Sequence, residues 1–461
     1  MKEIDLAIKG ARIVTSSDII EGNLYVSAGK VVCIGQIDLS SKEEVDAGGL
    51  ILLPGMVDAH VHFMDPGETS REDFLKGSSA AAVAGVTTVI EHTHASPVYN
   101  GQDLRAKAEY LKDRSFVDFG LGAHFPKGDI DDIGEVIREG AAFIKVLTCT
   151  THGISGVGNG PLLKAMSRFG EEGIPFLIHA EDESLTKIAE ADLRATGRED
   201  GMVVPDWRSR LAEQIAVRAV SQLSEASGAP TVIAHCSNSS VVDLIAEYRS
   251  RKVPIRAEGC PQYFFLKEEE IQEMGGFRKF TPPARALSSQ DLEAMWERLR
   301  NGAITYVASD HAPATVSQKK GGSIWDVPFG LPGIDTTLPL MLDAVAKGRM
   351  TFQRLVEVYA KEPACLYGFY PRKGALQVGG DADFILVDPG ATYVLEDKDI
   401  KSKAGWTPYA GVTLKGRVMK TYLRGRKIAE GRNCIGTAGW GRFLPGPGYK
   451  GITTHRVERR A

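Results

Sequence analysis

GMVDAHVHFMDPG, residues 55–67, is the stretch on which the fold turns. It starts as an apolar, β-branched run and ends in two histidines, His60 and His62, separated by Val61. Alternate side chains of a strand share a face. The two imidazoles therefore aim one way and Val61 the other. A strand that is apolar at its start and polar at its end suits a barrel, in which the C-terminal strand ends gather on the face where chemistry is found.

Seven further runs have the same texture: TTVIEHT (87–93), VDFGLGAHF (117–125), AAFIKVLT (141–148), PFLIHAE (175–181), PTVIAHCS (230–237), VPIRAEGC (253–260) and ITYVASDHA (304–312). Between them lie stretches with apolar residues at helical spacing, such as SREDFLKGSSAAAVAG and SSVVDLIAEYRS. Eight β-then-α units predict an α/β fold, a (β/α)8 TIM-like barrel spanning 54–372. The two chain ends read differently. Residues 1–53 and 373–440 carry short glycine-punctuated β runs (GNLYVSAGKVVCIG, GDADFILVD), which predict one small β-sandwich domain built from both termini. Residues 441–461, rich in glycine and basic groups, read as a C-terminal tail, either wrapped on a neighbouring subunit or loosely ordered.

Bulk properties narrow the function. Of 461 residues, 43% are hydrophobic and 25% charged, enough for a large packed core. A formal net charge of −4 argues against nucleic acid as the main partner. No apolar run of about 18 residues suggests a membrane span, and MKEIDLAIKG lacks the apolar core of a signal peptide. The six cysteines are scattered without a CxxC pair, the pattern of a reduced, cytoplasmic protein.

The strand ends carry the chemistry. His60 and His62 end the first strand, Lys145 lies in the fourth, and His179, His235 and Asp310 end the fifth, sixth and eighth. A lone strand-end histidine is ordinarily a structural hydrogen-bonding residue, and a lone lysine ordinarily snorkels. Six such residues at the ends of strands of one barrel point instead to a metal centre. Imidazole nitrogen and carboxylate oxygen suit zinc, with manganese, cobalt and iron also compatible. An ammonium among cations is disfavoured, so the Lys145 pKa should fall. The neutral amine can then add CO2, giving a carbamate with two oxygens. The arrangement expected is two divalent metal ions: His60, His62 and Asp310 on one, His179 and His235 on the other, carbamylated Lys145 between.

With these residues placed, the chain resembles the amidohydrolase superfamily, and within it the cyclic amidohydrolases: hydantoinase, dihydropyrimidinase, allantoinase and dihydroorotase. The resemblance rests on an ordered set: PGMVDAHVHF, AGVTTVIE (84–91), FIKV (143–146), IHAED, IAHCS, EGCPQYFFL (258–266), KFTPPARA (279–286), VASDHAP (307–313) and GDADFILVD (380–388). It implies hydrolysis of a cyclic amide by a hydroxide bridging two metals. Asp310 would take the proton and return it to the leaving nitrogen. It also implies a homo-oligomer, tetramer or dimer, with a small-molecule cyclic amide as substrate. By the same resemblance, backbone groups at Thr281 and at the turn from Phe329 to Gly333 would contact the substrate.

Departures from the family pattern bear on the ring. Dihydroorotases usually have arginine two residues after the second histidine, gripping the substrate carboxylate; here it is Met64. His94 stands near a position where they carry asparagine. Thr150 occupies the place of a tyrosine common in hydantoinases and dihydropyrimidinases. Allantoinase and L-hydantoinase types match best. Met64 and Phe63 suggest a partly apolar pocket, while His92, His94 and His152 are extra histidines near the barrel mouth. The alternatives are dihydropyrimidinase, cyclic imide hydrolase or dihydroorotase activity, and, outside catalysis, a metal-free scaffold relative.

Overall fold

A computed structural model describes residues 3–449; of the expected tail at 441–461, residues 450–461 lie outside the described residues. Five strands open the chain: β1 (Leu6–Val14), β2 (Ile19–Ser27), β3 (Lys30–Gly35), β4 (Glu43–Asp46) and β5 (Ile51–Pro54). The barrel strands follow: β6 (Met56–Val61), β7 (Val86–Glu91), β8 (Asp118–Leu121), β9 (Ala123–His124), β10 (Ile144–Leu147), β11 (Phe176–His179), β12 (Thr231–Ile233), β13 (Ile255–Gly259) and β14 (Tyr306–Val307). Four late strands close the list: β15 (Phe384–Val394), β16 (Thr413–Leu423), β17 (Arg426–Glu430) and β18 (Asn433–Cys434).

β6, β7 and β8 form one parallel ladder, and β9 to β14 form another. β8 and β9 are two halves of one barrel strand broken at Gly122. The ring closes where Val61 bridges His311 and the His62 N–H donates to the His311 carbonyl at 2.8 Å. All eight expected β runs therefore contribute a barrel strand, with helices such as Phe74–Ala84 and Ser239–Ser250 between them. The fold is an α/β TIM-like barrel.

Strands from both chain ends join in one mixed nine-stranded sheet, in which β5 pairs β1 on one side and β15 on the other. It folds back on itself through hydrogen bonds between Val31 and the 379–380 backbone. Its inner face has its own apolar core, including Ile8, Ile13, Leu24, Val26, Phe384 and Leu386. This is the β-sandwich unit. β5 runs into β6 through Gly55 alone, so the sandwich feeds directly into the histidine-bearing strand.

Two glycines fit the first βα unit together. Gly85 caps the Phe74–Ala84 helix at φ 88°, a left-handed position that side chains rarely tolerate. Gly77 faces Phe63, and a Cβ there would meet the Phe63 ring at 2.4 Å. Phe63 is thus clamped one residue past His62. The described part of the tail lies on its own barrel: Arg442 and Leu444 hydrogen-bond Asp118 and Phe119, and Gly446 bonds Gly140. All six cysteines are free. Among the described residues no helix is long and apolar enough to cross a membrane.

Candidate metal centre

His60 sits at the end of β6, 1% exposed. Its Nδ1 faces Glu258 Oε1 at 2.8 Å, and its Nε2 lies 3.2 Å from Asp310 Oδ1. Glu258, on β13, also accepts from the Tyr306 hydroxyl at 2.7 Å and the His235 N–H at 2.8 Å. A carboxylate held this way accepts a hydrogen bond from Nδ1–H and leaves the His60 Nε2 lone pair facing the cavity. His62 follows, with Nε2 3.6 Å from the same Asp310 oxygen.

On the opposite side, His179 Nδ1 and His235 Nε2 are 3.0 Å apart. His179 Nε2 lies 2.7 Å from Glu181 Oε2, which also accepts from the Thr281 hydroxyl at 2.8 Å. Burial works against the charged form of Glu181, but Arg208 and His179 outweigh it and bring its pKa down to about 2. The anion therefore holds the Nε2 proton of His179 and turns Nδ1 inwards. Two nitrogens bound to one tetrahedral zinc would be about 3.3 Å apart, so the observed pair is close to that spacing.

Lys145, on β10, is 5% exposed and lines the same cavity. Burial pushes its ammonium pKa down, against the pull of Glu258 and Asp310. Burial likewise lowers the pKa of His62, His179 and His235, which keeps them as neutral imidazoles, the ligating form. Burial raises the Asp310 carboxyl, opposed first by His60 and then by Lys145. His235 and Asp310 stand at φ 37° and 48°, a strained conformation for residues with side chains, and such strain clusters at working sites.

The donor set fits metal ions. Of the nitrogens turned towards the centre, His60 Nε2 is buried with no hydrogen-bond partner, and the second nitrogens of His62 and His235, their Nδ1 atoms, are buried without one as well. Buried polar groups ordinarily have one. Four imidazoles, one carboxylate and one neutralisable lysine therefore surround the cavity, and residues from five separate strands supply them.

Of the other sequence-predicted residues, His94, Thr281 and Phe329 line the cavity and three do not. Met64 is fully buried, its sulfur 3.3 Å from the Thr93 hydroxyl. Thr150 is turned away by Glu183, which accepts from its hydroxyl at 2.7 Å and from its N–H. The Gly333 N–H is taken by His311 Nδ1 at 3.1 Å, and Gly330 lines the cavity in its place. Phe63 is also fully buried, so the apolar lean drawn from positions 63 and 64 has no surface to act on. His94 and His152 stack at 4.3 Å on the rim. Sequence reasoning missed Glu258 and Glu181; each is a carboxylate at a barrel-strand end, the signal that could have found them. It also missed a side chamber of about 540 Å³ that shares His124, Lys145, Leu147 and Ile154 with the central cavity and reaches Tyr99 and Lys127.

Residues 51–428 match the model of the Amidohydrolase family. The chain belongs to that family. It is 31% identical over 455 residues to the L-hydantoinase of Paenarthrobacter aurescens, covering 97% of this chain and 99% of that one. It is 31% identical over 469 residues to the allantoinase of Rubrobacter xylanophilus, covering 99% of each. The solved structure of L-hydantoinase (dihydropyrimidinase) from Arthrobacter aurescens superposes with a TM-score of 0.92 at 30% identity, over 96% of this chain and 100% of that one. Among amidohydrolases, then, this chain is similar over its whole length to proteins of the hydantoinase and allantoinase types.

Proposed function

We propose that this amidohydrolase opens the cyclic amide of a hydantoin-type ring, a 5-substituted hydantoin or allantoin. The observation that carries the reading is the inward convergence of four buried imidazoles, Lys145 and Asp310, with the inward Nε2 of His60 left without a hydrogen-bond partner. The full-length similarity to an L-hydantoinase and an allantoinase supports the choice of ring. His60, His62 and Asp310 would hold one divalent ion and His179 and His235 a second, with Lys145, as its carbamate, between them. Zinc suits these donors, and manganese, cobalt and iron are compatible.

Bound there, the ions would polarise a carbonyl and lower the pKa of water towards neutrality. The remaining work belongs to the chain. Glu258 and Glu181 fix the tautomers of His60 and His179. Asp310 accepts a proton from the attacking water as its oxygen bonds to the ring carbonyl carbon. The carbon–nitrogen bond then breaks, and Asp310 returns the proton to the departing ring nitrogen. Thr281 and the Phe329–Gly330 turn border the space for the ring, and the side chamber takes the substituent.

A substrate panel on metal-loaded protein tests this: allantoin, 5-substituted hydantoins of both hands, dihydrouracil, dihydroorotate and a cyclic imide. The expected result is fastest opening of a hydantoin-type ring. Preference for dihydrouracil, dihydroorotate or the imide would move the assignment to that ring. About two metal ions per chain are expected, and none after metal supplementation would make the protein a scaffold. A homo-oligomer, tetramer or dimer, in the cytoplasm belongs to the same reading; light scattering tests the first and fractionation the second.

A further inference from the structure

His92 follows β7, and its side chain falls between the ends of β6 and β9. Its ring centroid is 4.5 Å from that of His60 and 4.4 Å from that of His62, which are themselves 5.3 Å apart. One ring nitrogen from each of the three lies within 4.8 Å of the others. His92 is 1% exposed, and neither of its ring nitrogens has a hydrogen-bond partner.

Three explanations compete for such a residue. A packing role is met only in part. The ring touches Phe143 edge-on at 4.9 Å, but an apolar side chain could pack there without burying two unpaired polar atoms. A substrate contact is the weaker reading: His60 and His62 line the central cavity, and His92 packs against their rings without lining it. Metal ligation accounts for an unpaired nitrogen on His92 and for the two neighbouring imidazoles together.

We propose that His92 is a metal ligand and completes, with His60 and His62, a three-imidazole face for the ion on the first-strand side of the centre. Small side-chain rotations bring nitrogens so grouped onto one ion. This rests on the two-metal reading above and adds an asymmetry to it: three imidazoles on one side, and two, from His179 and His235, on the other. A nitrogen-rich face favours zinc, cobalt, nickel or copper over manganese or magnesium.

The test uses zinc-loaded full-length protein and graded chelation, with retained zinc measured by mass spectrometry. Wild type is expected to lose its two zinc ions in separate stages. His92→Met and His92→Gln are expected to lose both together, with the tight site weakened at least about tenfold, since losing even an outer partner of a metal ligand costs about 10–100-fold in affinity. Chelation profiles identical to wild type in both folded variants would overturn the proposal. If both variants misfold, the zinc-loaded wild-type crystal structure decides: zinc about 2.1 Å from a His92 nitrogen supports it, and zinc bound only to the other ligands overturns it. Wild type that takes up no metal overturns this proposal and the two-metal reading together; two ions bound with His92 apart overturns this proposal alone.

Discussion

Asp310 touches both ligand histidines of the first strand, yet its backbone stands at φ 48°. That strain aims the carboxylate into the cavity, where Gln262 Nε2 is 3.5 Å from its other oxygen. The amide of Asp310→Asn keeps the shape and one oxygen but cannot take a proton. The variant is expected to keep most of its metal and lose about 10²–10⁴-fold in kcat; metal analysis beside steady-state kinetics separates the two, and substantial turnover would remove Asp310 from proton transfer. Lys145 makes a different prediction. Because burial lowers its ammonium pKa, intact-mass analysis under mild conditions should find the added mass of one CO2, absent in Lys145→Ala. Glu258 acts through His60. Glu258→Gln leaves the ring free to change tautomer, and metal affinity measured by competition should fall about 10–100-fold.

Among elements, the Phe74–Ala84 helix and β6 set the precision of the site, because Gly77 lets the helix approach Phe63 beside His62. Gly77→Ala gains about 1 kcal/mol of helix propensity but drives a methyl into the Phe63 ring, an overpacking cost of about 1–3 kcal/mol. A lower melting temperature and weaker zinc retention are expected; a raised temperature with unchanged retention would show that the contact yields freely. The same scale explains what could be read from the chain. All eight barrel strands were legible because each is an apolar β-branched run flanked by helical periodicity. Their lengths were not: the run at 304–312 yields a ladder of only Tyr306–Val307, because the chain leaves regular pairing to present Asp310. His60, His62, Lys145, His179, His235 and Asp310 were legible as strand-end polar residues. Glu258 as the partner of His60 was not, because the contact joins residues 198 positions apart. Nor were the outward turn of Thr150 and the burial of Met64, which depend on local partners, Glu183 and Thr93, that periodicity does not encode.

Across the whole molecule, sandwich and barrel meet at a buried charge cluster. Lys373 Nζ lies 2.5 Å from Asp118 on β8, 2.8 Å from Asp381 and 2.6 Å from Asp383 ahead of β15, and Arg424 also pairs with Asp118. One ammonium thus bridges carboxylates from both units, and Asp118 further accepts the Arg442 N–H of the tail at 2.8 Å. Burial lowers the Lys373 pKa and the three aspartates raise it, with a net rise, so the cation persists at neutral pH. Burial raises Asp383 even with Lys373 present. Lys373→Met leaves Asp383 without a cation, while Arg424 stays on Asp118 and Lys30 on Asp381, a loss of about 3–5 kcal/mol for the buried carboxylate left unpaired. The pH dependence follows from the sign. A carboxyl whose folded pKa is raised binds more protons folded than unfolded, so its destabilising effect is absent below the unfolded pKa, grows between the two pKa values and is complete above the folded one. The difference in denaturation midpoint between wild type and Lys373→Met should therefore be largest at neutral pH and shrink on acidification through the carboxylate range. A difference constant with pH would mean that the lysine acts by filling space, and that the two units are joined by packing instead of charge.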